Sequence, residues 1–306
     1  MGAFFVRRGV RMAVVLLLAS IAVFYSLRFA PGDPTGAALS PTALEAAREA
    51  FRERLGLNRP VHEQYLVYVG NLARGDLGSS LITGKPIGEM LGTYGRNSLI
   101  LGAAAFALTY LIGVPLGVLA AAKRNTWVDN VATGIGILGT GMPNFWLALL
   151  LIVWFSSMLR WLPSAGCCSP KHLVLPAVVL AAEGMAVTLR MMRSSMLEQL
   201  GQDYVRTHRA KGLRESVVVG SRVFRNALIP VISLSGLRLG WLIGYALIVE
   251  TIFQWPGVGF LLVDSVLRRD YPVAQFFSLL LVAMVVLGNF LADLAYGLVD
   301  PRIHHA

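Results

Sequence analysis

Four ionisable residues, Glu183, Arg238, Glu250 and Asp293, stand inside segments that are otherwise apolar. A charge in lipid is costly, so such residues mark pairs, aqueous paths or substrate contacts. Glu250 and Asp293 fall near the ends of their segments, where the interface or a backbone bond accounts for them. Glu183 and Arg238 are deeper. Each lies roughly 10 residues into its segment, which at about 1.5 Å per residue is near mid-depth. The two segments run antiparallel. Glu183 and Arg238 are therefore candidates for an ion pair, within the chain or across a dimer, or for a translocation path that touches the charged ends of a substrate.

A second group of polar residues occupies 195–230. Its centre reads Asp203-Tyr-Val-Arg-Thr-His-Arg-Ala-Lys-Gly212, a helix-prone stretch with a stop at Gly212. Basic residues from Arg206 to Arg225 outnumber Glu198, Asp203 and Glu215. That surface suits an acidic partner or a membrane surface, and an ordinary solvated loop has the same composition. Enzyme motifs are missing. There is no H-E-x-x-H and no G-x-S-x-G. A phosphate loop G-x-x-x-x-G-K-[ST] is approached only at Gly84-Lys85, where Ser79 and Pro86 break the pattern. Cys167 and Cys168 are adjacent and lack a C-x-x-C or histidine context, so they read as two unpaired thiols in a short loop.

The elements that carry these residues follow from composition. Hydrophobic residues make up 56% of the 306, and charged ones only 14%, against about a quarter charged in soluble domains. The solvent is lipid. Six segments are long and apolar enough for a bilayer core of about 30 Å: about 10–29, 97–122, 129–159, 173–194, 228–250 and 274–297. The third is interrupted at Gly141-Met142-Pro143 and reads as one long helix kinked by proline. Arg7, Arg8 and Arg11 before the first segment imitate a signal peptide, but Arg28-Phe-Ala30 is a poor cleavage site, so the segment reads as an uncleaved first span. Trp146, Trp154 and Trp161 read as packing and interface anchors.

Orientation follows from Lys and Arg. They gather at the N-terminus, at Lys123 and Arg124, and from Arg190 to Arg225. This expects both termini and the 195–227 loop in the cytoplasm, with 30–96 outside. The net charge of +10 is explained the same way and needs no nucleic acid. Within 30–96, Thr42 with Glu45 reads as a capping box. Leu44, Ala47, Phe51 and Leu55 share a helical face, and Gly56 suits the stop. Gly113 and Gly117 permit a close helix approach. The expected fold is all-α: a single transmembrane domain over 1–306, with six transmembrane helices and a small external element between helices one and two.

The 203–212 stretch, with Asn226-Ala-Leu-Ile-Pro230 after it, resembles the loop that bacterial ABC importer permeases present to their ATPase. More closely, the chain resembles the first permease of the dipeptide, oligopeptide, glutathione and nickel group. The resemblance extends over Arg28-Phe-Ala-Pro-Gly-Asp-Pro34, Gly56-Leu-Asn-Arg-Pro60, Gly75-Asp-Leu-Gly78, Met142-Pro-Asn-Phe-Trp146, Glu250-Thr-Ile-Phe-Gln-Trp-Pro-Gly-Val-Gly259, Arg269-Asp-Tyr-Pro272 and Asp300-Pro-Arg302. Seven motifs in this order cover essentially the whole chain.

The resemblance implies a non-enzymatic permease half in the bacterial inner membrane. Tyr204, Arg206, Thr207, Arg209, Ala210, Lys211 and Gly212 would form the coupling helix. His208 departs from the family's small residue there, as Arg238 departs from its usual neutral one. The implied partners are a second permease, two ATPase subunits that hold ATP and Mg, and an external substrate-binding protein. The absence of a His or Cys cluster in a span favours small peptides over nickel. Nickel or glutathione import by the same architecture and an ATP-independent secondary transporter stay open as alternatives.

Overall fold

Backbone groups in lipid must find partners inside their own segment, which leaves helices as the solution for apolar stretches of this length. The computed structural model describes residues 2–29, 45–54, 56–167 and 169–299. Eleven labelled helices follow one another: α1 Gly2–Phe29, α2 Glu45–Arg54, α3 Val61–Ala73, α4 Ile87–Ala122, α5 Trp127–Gly141, α6 Asn144–Leu151, α7 Pro170–Leu200, α8 Asp203–Ala210, α9 Phe224–Ile252, α10 Val258–Leu267 and α11 Tyr271–Val299. π-helical turns extend α6 over Ile152–Met158 and lead into α9 over Val218–Val223. Among the described residues the only β pairing is an isolated bridge between Ser79 and Pro86.

Five helical stretches among the described residues are long and apolar enough to cross a membrane. The expected third span differs. It is two helices, Trp127–Gly141 and Asn144–Met158, that turn through 110° at the break. Pro143 has no N–H to donate, and Met142 takes an extended conformation with ψ 125° that ends α5. A kink in one helix is therefore replaced by a sharp turn, and the pair makes a sixth span only if counted together.

The chain divides into two compact units. The first comprises the chain up to Ser98 with Pro256–Val286. Its core joins Ile87 and Met90 to Val258, Leu261, Val273 and Phe277. Phe24 of α1 is fully buried and meets the rings of Tyr65 and Tyr68 of α3. Asp270 is buried and accepts from the Ser80 hydroxyl and the Leu81 amide at 2.5 and 3.1 Å. α2 covers the described part of the expected amphipathic helix. Gly56 has φ 67°, and Gly56 and Leu57 amides donate to Glu53 and Arg52 carbonyls, the paired bonds of a glycine stop. Thr42, Leu44 and Leu55, like residues 30–34 and 300–302 of the motifs above, lie outside the described residues.

The second unit comprises Leu99–Trp255 and the chain from Leu287 on. α7 is its axis, packed by α5, α6 and α9. Small residues set the approach. A Cβ on Gly117 of α4 would stand 2.7 Å from the Leu189 carbonyl oxygen, and one on Gly139 of α5 2.8 Å from the Ala186 Cβ. One cluster gathers Leu101, Leu175, Val179, Phe253 and Trp255. Another gathers Met192, Met196, Val205, Val218 and Val223. Cys167 is disulfide-bonded and not the free thiol expected; Cys168 lies outside the described residues.

Candidate coupling helix and intramembrane ion pairs

α8 is a short polar helix that owes its position to one apolar side chain. Val205 is fully buried and joins the cluster around Met192 and Met196 of α7. Tyr204 packs beside it, and its hydroxyl donates to Gln199 Oε1 at 2.9 Å. Its ring meets His208 edge to face at 6.0 Å, the spacing expected of residues four apart on a helix. His208 thus sits on the anchoring side, half-buried, while Arg206, Thr207, Arg209, Ala210 and Lys211 are exposed.

Both ends of α8 are defined. Thr207 donates to the Asp203 carbonyl at 3.1 Å, and Arg206 lies 3.8 Å from the Asp203 carboxylate. Gly212 has φ 75°. The Gly212 amide donates to the Arg209 carbonyl at 2.9 Å and the Leu213 amide to His208 at 3.3 Å, again a glycine stop. Beyond it the Glu215 carboxylate accepts from both Arg209 Nε and Nη2, at 3.1 and 2.6 Å. Those bonds hold the Arg209 guanidinium above its ordinary range and fold the 211–214 turn back on the helix. The exposed face keeps Arg206 and Lys211 with hydrogen-bonding Thr207 and small Ala210. It is an exposed, largely basic surface above the buried Val205.

Glu183 of α7 and Arg238 of α9 come together in the same unit, with Glu183 Oε1 3.8 Å from Arg238 Nη1. At that distance attraction is Coulombic and no direct hydrogen bond forms. A small cavity of about 30 Å³ adjoins them, lined also by Thr109, Tyr110 and Tyr245. Arg238 Nε is buried without a partner. Glu250 is fully buried at the end of α9. Asp293 is helical within α11.

A tighter pair escaped the sequence reading. Asp129 at the start of α5 is 3% exposed. It accepts from Arg193 Nε and Nη2 of α7 at 2.5 and 2.8 Å, and from the Asn125 amide at 3.0 Å. Two parallel N–H···O bonds make a bidentate fork. Arg193 had counted only toward the positive loop, and Asp129 fell in the first turn of a span. Val205 was missed as well, because one valine in a polar stretch gives no periodic signal.

Residues 113–305 match the model of the binding-protein-dependent transport system inner membrane component, and residues 1–84 match that of its N-terminal region. The chain belongs to this family. The oligopeptide transport system permease protein AppB of Bacillus subtilis is 40% identical over the whole of both chains. The di/tripeptide transport system permease protein DppB of Pseudomonas aeruginosa is 41% identical over 94% of each. The glutathione transport system permease protein GsiC of Escherichia coli K12 is 37% identical over 98% of each. Among solved structures, the MetNI methionine ABC transporter in an inward-facing conformation aligns with a TM-score of 0.56 at 20% identity, over 69% of this chain and 96% of that one. It shares the fold. As a family member, the chain is a permease subunit of a multi-pass membrane importer, and the 113–305 match contains α7, α8 and α9 together with both ion pairs.

Proposed function

We propose that this chain is one permease half of an ATP-driven importer of short peptides, with α8 as the helix gripped by a separate ATPase subunit. The observation that carries the reading is the geometry of α8: Val205 fully buried beneath a surface of Arg206, Thr207, Arg209, Ala210 and Lys211. A push on the exposed face travels through Val205 into α7, which bears both Glu183 and Arg193. Full-length similarity to permeases named for oligopeptides and di/tripeptides supports peptides as cargo. Glutathione, itself a tripeptide, is the second reading, favoured by the equally complete match to GsiC.

In this reading a second permease completes the path, two ATPase subunits hold ATP and Mg, and an external binding protein delivers substrate. The Lys and Arg distribution supports cytoplasmic termini and a cytoplasmic α8. Glu183 and Arg238 act as a charge pair beside the path, and the whole chain works as one permease domain.

The test is reconstitution with the ATPase subunits encoded beside it. Wild type should co-purify with an ATPase and take up labelled dialanine with ATP. In Gly212→Pro the ring fixes φ near −65° and removes the N–H that binds Arg209, so association or coupling should be lost. An ATPase that never associates, together with a variant indistinguishable from wild type, would sink the reading.

A further inference from the structure

The first unit holds a cavity of about 360 Å³ that nothing above employs. That is the small end of ligand-site sizes. Arg28, Tyr68 and Gln275 line it, with exposed Glu53, Arg59 and Asp76 also on its wall. Gln275 is 3% exposed, yet its Nε2 has no hydrogen-bond partner. The Tyr68 hydroxyl is buried with no partner at full hydrogen-bond geometry; burial raises its pKa, and the neighbouring Gln275 side chain offsets part of that rise. Unpaired buried donors are costly and rare in folded proteins.

The amide cannot relieve this by turning over. Arg28 Nε donates to Gln64 Oε1 at 2.9 Å and Arg28 Nη1 reaches Gln275 Oε1 at 3.5 Å, while the guanidinium lies 3.5 Å over the Phe24 ring. Reversing the amide would set its N–H groups against a cation. Pairing Tyr68 with Gln275 does not suffice either. If Gln275 Nε2 gives one proton to the phenolic oxygen, its second proton and the Tyr68 hydroxyl proton still lack an acceptor. The cavity asks for an acceptor with several lone pairs, beside a positive charge. A carboxylate has that form. The wall charges are two cationic and two anionic, which matches a ligand of zero net charge better than a simple anion.

We propose that this cavity binds a zwitterionic short peptide by its C-terminal carboxylate, which accepts from Gln275 Nε2, the Tyr68 hydroxyl and Arg28, while its ammonium lies toward Glu53 and Asp76. Carboxylate recognition rests on the cavity alone; the choice of a peptide rests on the proposed function. The site is separate from the Glu183–Arg238 pair and would select free over blocked C-termini.

The experiment is calorimetry and thermal unfolding of the assembled transporter in nanodiscs without the binding protein, using dialanine and dialanine amide. Dialanine should bind wild type and raise its Tm, and the amide should bind at least about tenfold more weakly, the scale of a hydrogen bond to a charge. Gln275→Leu and Tyr68→Phe should each weaken dialanine binding by about tenfold. Without ligand, Tyr68→Phe should match or exceed the wild-type Tm, since it removes a buried hydroxyl that the protein itself does not fully satisfy. Equal binding of acid and amide, undiminished binding in both variants, or no binding to wild type would each overturn the site. If Gln275→Leu does not fold, Tyr68→Phe decides alone. Binding without ATP-driven uptake would instead strike the proposed function and leave the site standing.

Discussion

Gly212 offers the cleanest perturbation of α8. Its φ is 75°, and a Cβ built there meets no atom within 4 Å. Substitution therefore changes backbone conformation and nothing else. An L residue in the left-handed region costs about 1–2 kcal/mol, and asparagine tolerates it best. For Gly212→Ala that is about a 5–30-fold shift toward a frayed helix end, while Gly212→Asn should stay near wild type. Val205 is untouched, so the loss should be confined to the last turn. The amides of Lys211, Gly212 and Leu213, which donate to Thr207, Arg209 and His208, report it directly by hydrogen exchange. They should exchange about 5–30-fold faster in the alanine variant, and peptide-stimulated ATP hydrolysis should fall in the order wild type, Asn, Ala. Equal exchange in Ala and wild type, or an Asn variant worse than Ala, would refute the claim that this glycine stop holds the helix.

Other predictions follow from the same geometry. Val205→Ala removes two buried methyl groups and should cost about 2 kcal/mol, seen as a lower Tm and weaker ATPase association. Gly117→Ala drives a Cβ to 2.7 Å from the Leu189 carbonyl and the Met192 Cβ. Overpacking of that kind costs about 1–3 kcal/mol, so detergent Tm should drop. Asp129→Asn and Arg193→Met should each lower Tm, and the double variant should recover at least about 1 kcal/mol of coupling; strict additivity would mean the fork does not act as a pair. Single neutralisations Glu183→Gln and Arg238→Gln should each reduce uptake, with the double variant milder than their sum.

Much of this was legible in the sequence because lipid imposes a simple rule. A segment that must satisfy its own backbone is helical wherever about 20 apolar residues run together, so α11, the end of α1 and the start of α7 fall close to their expected positions, while α1 starts earlier and α7 runs on further than the apolar stretch alone indicates. The stops at Gly56 and Gly212 were legible because few residues tolerate positive φ. The antiparallel depths of Glu183 and Arg238 made their meeting arithmetically available.

Tertiary structure alone decided the rest. The break at Met142-Pro143 looked like a kink, since a proline says that a hydrogen bond is lost and not how far the chain then turns. The fork between Asp129 and Arg193 joins residues 64 apart, which no local pattern encodes. Val205 reads as an ordinary valine until α7 is packed beneath it. The cavity at Gln275 is a property of what fails to pair, and an unsatisfied donor has no sequence signature. Sequence determines periodicity and backbone permission because both act over a few residues. Which buried groups find partners depends on where distant helices come to rest.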